Sequence, residues 1–159
     1  KKRHMPSFLK VAFMGMTQIL GEVKSPKDFE KAKAEIRQIV RGCYSKLKNR
    51  EYPLENLAFN VMISKPPEKY TKTTPQHVKA AYLLAGAGRE VRPGDVIAFV
   101  KTTDELGVKP LELADPKMVD VLKYTEYLES TFEQVLDAVG ISFDEVIGIS
   151  KLESFLWGK

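Results

Sequence analysis

The stretch Lys69-Tyr70-Thr71-Lys72-Thr73-Thr74-Pro75-Gln76-His77-Val78-Lys79 carries the densest set of groups able to do chemistry. Thr74 suits an N-cap and Pro75 a first helical position, so the spacing predicts a helix opening at Thr74. At such a start, unpaired backbone N–H groups, the hydroxyls of Thr73 and Thr74 and the positive end of the helix dipole converge, and that combination holds a phosphate. Lys69, Lys72 and Lys79 would add charge around it, with His77 in the first turn as a donor or local scaffold. No base-reading pattern accompanies them, as expected of contacts that position a duplex without reading its sequence. The same residues also describe an ordinary capped helix beside surface lysines, and spacing alone leaves both readings open.

Other chemistries find little support. His77 has one companion, His4, and the chain has a single cysteine, Cys43, so no metal site is expected and no internal disulfide can form. No Gly-x-Ser-x-Gly elbow occurs, and Gly86-Ala87-Gly88 ends a predicted helix where a phosphate-cradling loop would begin one. Asp104-Glu105 and Asp144-Glu145 read as turns or caps, so no catalytic residue is assigned. Lys1-Lys2-Arg3-His4 is a basic run that can meet phosphate or simply fray. In the last residues, Leu152, Phe155 and Leu156 stand at helical offsets, which suits a short turn plugging a partner's pocket as well as packing on its own domain.

Charge is unevenly spread. Residues 1–109 hold 21 Lys+Arg against 11 Asp+Glu, whereas residues 110–159 hold 4 against 10, so a basic part of +10 precedes an acidic part of −6. A basic part of that size gains by releasing counterions from a polyanion, and an anionic membrane surface or plain solvation would suit it too. The 159 residues, 43% apolar and 29% charged, fit one globular domain rather than two large ones. The apolar runs fall far short of the roughly 20 residues a spanning helix needs, so no membrane partner is expected. One cysteine and no apolar leader point to an intracellular, cytoplasmic chain, and a start at Lys1 without Met suggests a piece of something longer.

The elements that would position these residues follow from periodicity. Helices are predicted over Ser7 to Leu20, stopped by Gly21, and from Ser25-Pro26 to about Leu47. Alternation from Leu57 to Ile63 predicts a strand ended by Pro66-Pro67, and Arg92-Pro93-Gly94-Asp95 a turn into a second strand, Val96 to Val100, able to pair antiparallel with the first. Between them, a helix runs from Thr74-Pro75 to Gly86. Residues 103–117 leave room for one short strand. A long amphipathic helix is expected from Met118 to Val139, stopped by Gly140, and then a short turn capped by Ser142. The class is α+β, mainly helical with a small antiparallel sheet.

Four segments in this order and spacing are together specific: Leu57-Ala-Phe-Asn-Val-Met, Tyr70-Thr-Lys-Thr-Thr-Pro-Gln-His-Val-Lys-Ala-Ala, Val91-Arg-Pro-Gly-Asp-Val-Ile and Tyr127-Leu-Glu-Ser-Thr-Phe-Glu-Gln-Val-Leu-Asp. Through them the sequence resembles, over nearly its whole length, the C-terminal thumb of archaeal family B DNA polymerases, most closely the crenarchaeal ones. The resemblance implies a thumb over residues 1–148, with a helical base at about 1–53 and a strand–helix part at about 54–148, followed by a tail at 149–159. It implies duplex primer–template DNA as partner, gripped through phosphates by Lys1, Lys2, Arg3, Lys69, Tyr70, Lys72, Thr73, Thr74, His77 and Lys79, and nucleoid association. The rest of the polymerase is a further partner; its palm would hold the magnesium and the catalytic aspartates, leaving this chain without cofactor and inactive alone. Such tails resemble sliding-clamp peptides, and Leu152, Phe155 and Leu156 match that pattern, although Ile149 stands where a Gln is usual. The alternative is an interaction module of a replication complex that does not itself touch DNA.

Overall fold

The computed structural model describes residues 4–70 and 74–148. The expected contacts Lys1, Lys2, Arg3, Lys72 and Thr73, and the tail residues Leu152, Phe155 and Leu156, lie outside them. In chain order the elements are α1 (Ser7–Gly21), α2 (Pro26–Lys48), α3 (Leu54–Leu57), β1 (Phe59–Met62), α4 (Gln76–Gly86), β2 (Val96–Lys101), β3 (Val108–Pro110), α5 (Val121–Ala138) and α6 (Phe143–Ile147), with short 3-10 turns between some of them. None of these helices is long and apolar enough to cross a membrane.

The chain divides into two units. Among the described residues one comprises 8–51 and 124–148 and is helical. The Ser25 side chain opens α2 by accepting the Asp28 N–H at 3.1 Å, with Pro26 in the first turn, and Lys46 and Lys48 close it, so both ends complement the dipole. Ala32, Ile36, Val40, Cys43 and Leu47 form its buried stripe. Tyr124, Leu128, Phe132 and Leu136 do the same on α5, and Phe8, Leu9, Ala12 and Met16 on α1. Phe8 meets Tyr124 edge-on at 6.1 Å, and Phe13 stacks on Phe132 at 6.1 Å. Each fully buried Leu, Ile, Val, Phe or Met among them contributes about 1.5–3 kcal/mol by leaving water, whereas Phe13 remains 41% exposed. Ser142 and Glu145 cap α6 reciprocally, and the Arg41 guanidinium donates to the Val146 carbonyl at 2.9 Å, fastening α6 to α2.

The second unit comprises residues 4–7 and 52–123 among those described. Its three strands lie in the order β1-β2-β3, antiparallel, with Phe59 opposite Phe99 and Met62 opposite Val96. The predicted turn closes the first pair: the Asp95 N–H reaches the Arg92 carbonyl at 3.0 Å, the Asp95 carboxylate accepts the Arg92 N–H at 2.9 Å, and Gly94 takes φ +95. A side chain there would be strained. Helix α4 packs on β2 and β3.

Three boundaries differ from the sequence expectation. The strand expected over residues 57–63 is preceded by the turn of α3, and its ladder ends with Ile63 paired to Asp95 and Gly94. Helix α5 starts at Val121 instead of Met118 because Thr103 and Lys101 pair with Met118 and Asp120, holding that stretch extended. Residues 124–148 group with α1 and α2, not with the strand–helix part to which 54–148 was assigned, because the apolar stripe of α5 is satisfied by rings of α1.

Candidate nucleic-acid interface

The expected cap at Thr74 is not formed. Pro75 takes the N-cap position with φ −59 and ψ 159, so helical residues begin at Gln76, and among the described residues no side chain caps α4. The Pro75 carbonyl accepts both the Val78 and the Lys79 N–H at 3.0 Å, which closes the first turn without a hydroxyl. Thr74 is exposed one residue outside the helix. The N–H groups of Gln76 and His77 precede those bonds and stand at the helix head, where the dipole is positive.

Residues 64–70 are tied down by side chains. Lys69 is exposed and ends a 3-10 turn, Pro67–Lys69, whose first carbonyl accepts the Tyr82 hydroxyl of α4 at 2.8 Å. The Tyr70 hydroxyl shares a hydrogen bond with Ser64 Oγ at 3.1 Å, the Lys65 ammonium lies 4.6 Å from the centre of its ring, and the His77 ring meets it edge-on at 6.3 Å. The Ser64 bond, reinforced by the Lys65 charge, holds the Tyr70 phenol below its usual pKa of 10.0. Burial, with His4 adding a smaller push, lowers His77 below 6.5, so its ring is neutral at pH 7 and donates from one nitrogen only. Lys79 is half-buried further along α4.

The fold thus brings Tyr70 against His77 at the end of α4 where Thr74 stands, with Lys69 next to Tyr70 in the chain, whereas Lys79 sits beyond the first turn. Two residues at this end escaped the sequence reading. Lys65 follows β1 and looks like any surface lysine until Tyr70 folds back beneath it. Lys101 is 8% exposed at the end of β2; its ammonium donates to Gln76 Oε1 in the first turn of α4 and lies 5.3 Å from the Phe59 ring centre. Strand parity with Ile97 and Phe99 already placed Lys101 on the buried face. Among the described residues no cluster of His, Cys, Asp or Glu is arranged to hold a metal ion.

Comparison with known proteins identifies the family. The family model for DNA polymerase family B matches residues 3–144. DNA polymerase 1 of Sulfolobus acidocaldarius is 44% identical over 159 residues, covering 100% of this chain, and that of Saccharolobus solfataricus is 46% identical over 155 residues, covering 98%. The chain spans 18% of the length of each. The structure of the family B DNA polymerase from Pyrobaculum calidifontis shares the fold, with a TM-score of 0.71 at 21% identity over 87% of this chain and 18% of that one. The family match runs from Arg3 to the capping residues of α6 and takes in residues of both units. The likeness is therefore not confined to one motif, and the chain belongs to DNA polymerase family B.

Proposed function

We propose that this chain is the thumb of a DNA polymerase, gripping duplex primer–template DNA through its phosphates and so keeping the primer end registered in an active site carried by the rest of the enzyme. The observation that supports this most directly is the exposed head of α4, which no described side chain caps, with the neutral His77 in its first turn joined through Tyr70 to Lys65, and family membership behind it. First-turn N–H groups, a dipole and ammonium groups suit an oxyanion of any nucleotide, and none selects a base. The role is positional and aids processivity. Nucleotide transfer belongs to the remainder of the polymerase, and the chain alone is inactive. Residues 1–148 form the grip, Lys1, Lys2, Arg3, Lys72 and Thr73 extend it, and the tail with Leu152, Phe155 and Leu156 is a candidate clamp-binding peptide.

The test is fluorescence anisotropy of the chain on labelled primer–template across a salt series. Binding should weaken linearly on log–log axes with a slope of about −0.9 per phosphate contact, independent of sequence. Lys69→Glu and Lys72→Glu should each weaken binding uniformly across sequences and lower the slope magnitude by about 1. Undetectable or salt-independent binding, with both variants silent, would favour a protein-interaction module instead.

A further inference from the structure

We propose that Lys65 is an additional phosphate contact of this grip and that Tyr70 is its positioning residue, a proposal that rests on the duplex-gripping function above. Lys65 is exposed, and a free lysine side chain loses rotamer freedom when it docks on a phosphate. Here that freedom is already restricted. The ammonium sits 4.6 Å from the Tyr70 ring centre, close enough for attraction to the ring face, with donors left for an anion. The ring in turn is held at two places, by Ser64 at its hydroxyl and by the edge of His77 at 6.3 Å. The Tyr82 hydroxyl fixes the intervening 3-10 turn to α4, so Lys65 and the α4 head are carried on one support. Tyr70 therefore links a cation on one side to the helix head on the other. The ligand is the sugar–phosphate rail of duplex DNA, met at a second phosphate beyond the one at the helix head.

The experiment uses the 159-residue chain on labelled primer–template DNA over a salt series, with circular dichroism confirming the fold of each variant. Lys65→Gln should lower the slope magnitude by about 0.9, and Lys65→Arg should restore it. Tyr70→Leu keeps every charge, so the slope should stay while affinity falls about 2- to 5-fold, the worth of a cation–ring contact at an exposed site. Ser64→Ala, a milder change that frees only the phenol, should shift affinity in the same direction. In the Lys65→Gln background, Tyr70→Leu should have no further effect. An unchanged slope in Lys65→Gln, beside a wild type that does bind with salt dependence, would overturn this proposal and leave the gripping function standing. Absence of salt-dependent binding in the wild type would overturn both. A Tyr70→Leu loss of equal size with and without Lys65 would reduce Tyr70 to scaffold and refute its positioning role.

Discussion

Replacing Lys101 by Met should leave the second unit as stable as the wild type or more so at pH 7, although it deletes a buried cation and its hydrogen bond. Lys101 is 8% exposed, donates to Gln76 and lies 5.3 Å from the centre of Phe59. A hydrogen bond to a charged group contributes about 1.5–3 kcal/mol. Burial nevertheless pushes its pKa below 10.5, with the nearby Lys123 acting in the same direction and Asp120 only partly opposing, so the ammonium costs more than its partners return. Met keeps most of the stem and removes the charge, while the exposed Gln76 amide can turn to water. Lys101→Ala removes three buried methylenes at about 0.8 kcal/mol each and should lose about 2–3 kcal/mol relative to Met. The pH dependence has a fixed sign. Between the lowered folded pKa and 10.5, the unfolded chain binds more protons, so wild-type stability rises with pH through that window and the Met variant lacks the rise. Urea unfolding of the pair at pH 7 and pH 9.5 should show the advantage of Met shrinking as pH rises. If Lys101→Met costs as much as Lys101→Ala, or gains on the wild type with rising pH, the account of this buried lysine is refuted.

Ser142→Ala should cost about 1 kcal/mol by removing the Oγ that accepts the Glu145 N–H at 3.1 Å, leaving the bond from the residue-142 N–H to the Glu145 carboxylate at 3.0 Å in place, whereas Thr74→Ala should change stability by less than about 0.5 kcal/mol because Thr74 caps nothing; denaturant midpoints of the two variants check both. His77 titrates below 6.5 in the folded chain, so under that pH the unfolded chain takes up the proton first and stability falls as pH drops from 6.5 toward the folded value. Thermal midpoints at pH 7.5 and 5.5 should show that fall, and His77→Gln should reduce it.

Sequence by itself determined the features whose partners lie within a turn or two along the chain. The Ser25-Pro26 start of α2, the Ser142–Glu145 box and the Arg92–Asp95 turn were legible because the groups that satisfy each backbone atom are three or four residues away. Alternation in β1 and β2 marked a sheet, and the four spaced segments carried the family resemblance for the same reason: they are patterns in order, independent of where the chain travels. Tertiary structure decided the rest. Thr74 offered a hydroxyl in the right place, yet the extended Pro75 satisfied the first turn and left it idle. Met118 continued a helical stripe, but pairing with Thr103, a partner 15 residues back, outweighed it. Lys65, Tyr70 and His77 became a unit only when the Tyr70 ring met Lys65 on one side and His77 of α4 on the other, and Lys101 met Gln76, 25 residues earlier, only through the packing of α4 on the sheet. Local hydrogen bonds are encoded in neighbouring residues, whereas a contact closed over a long loop depends on which distant surface arrives, and single positions do not carry that information.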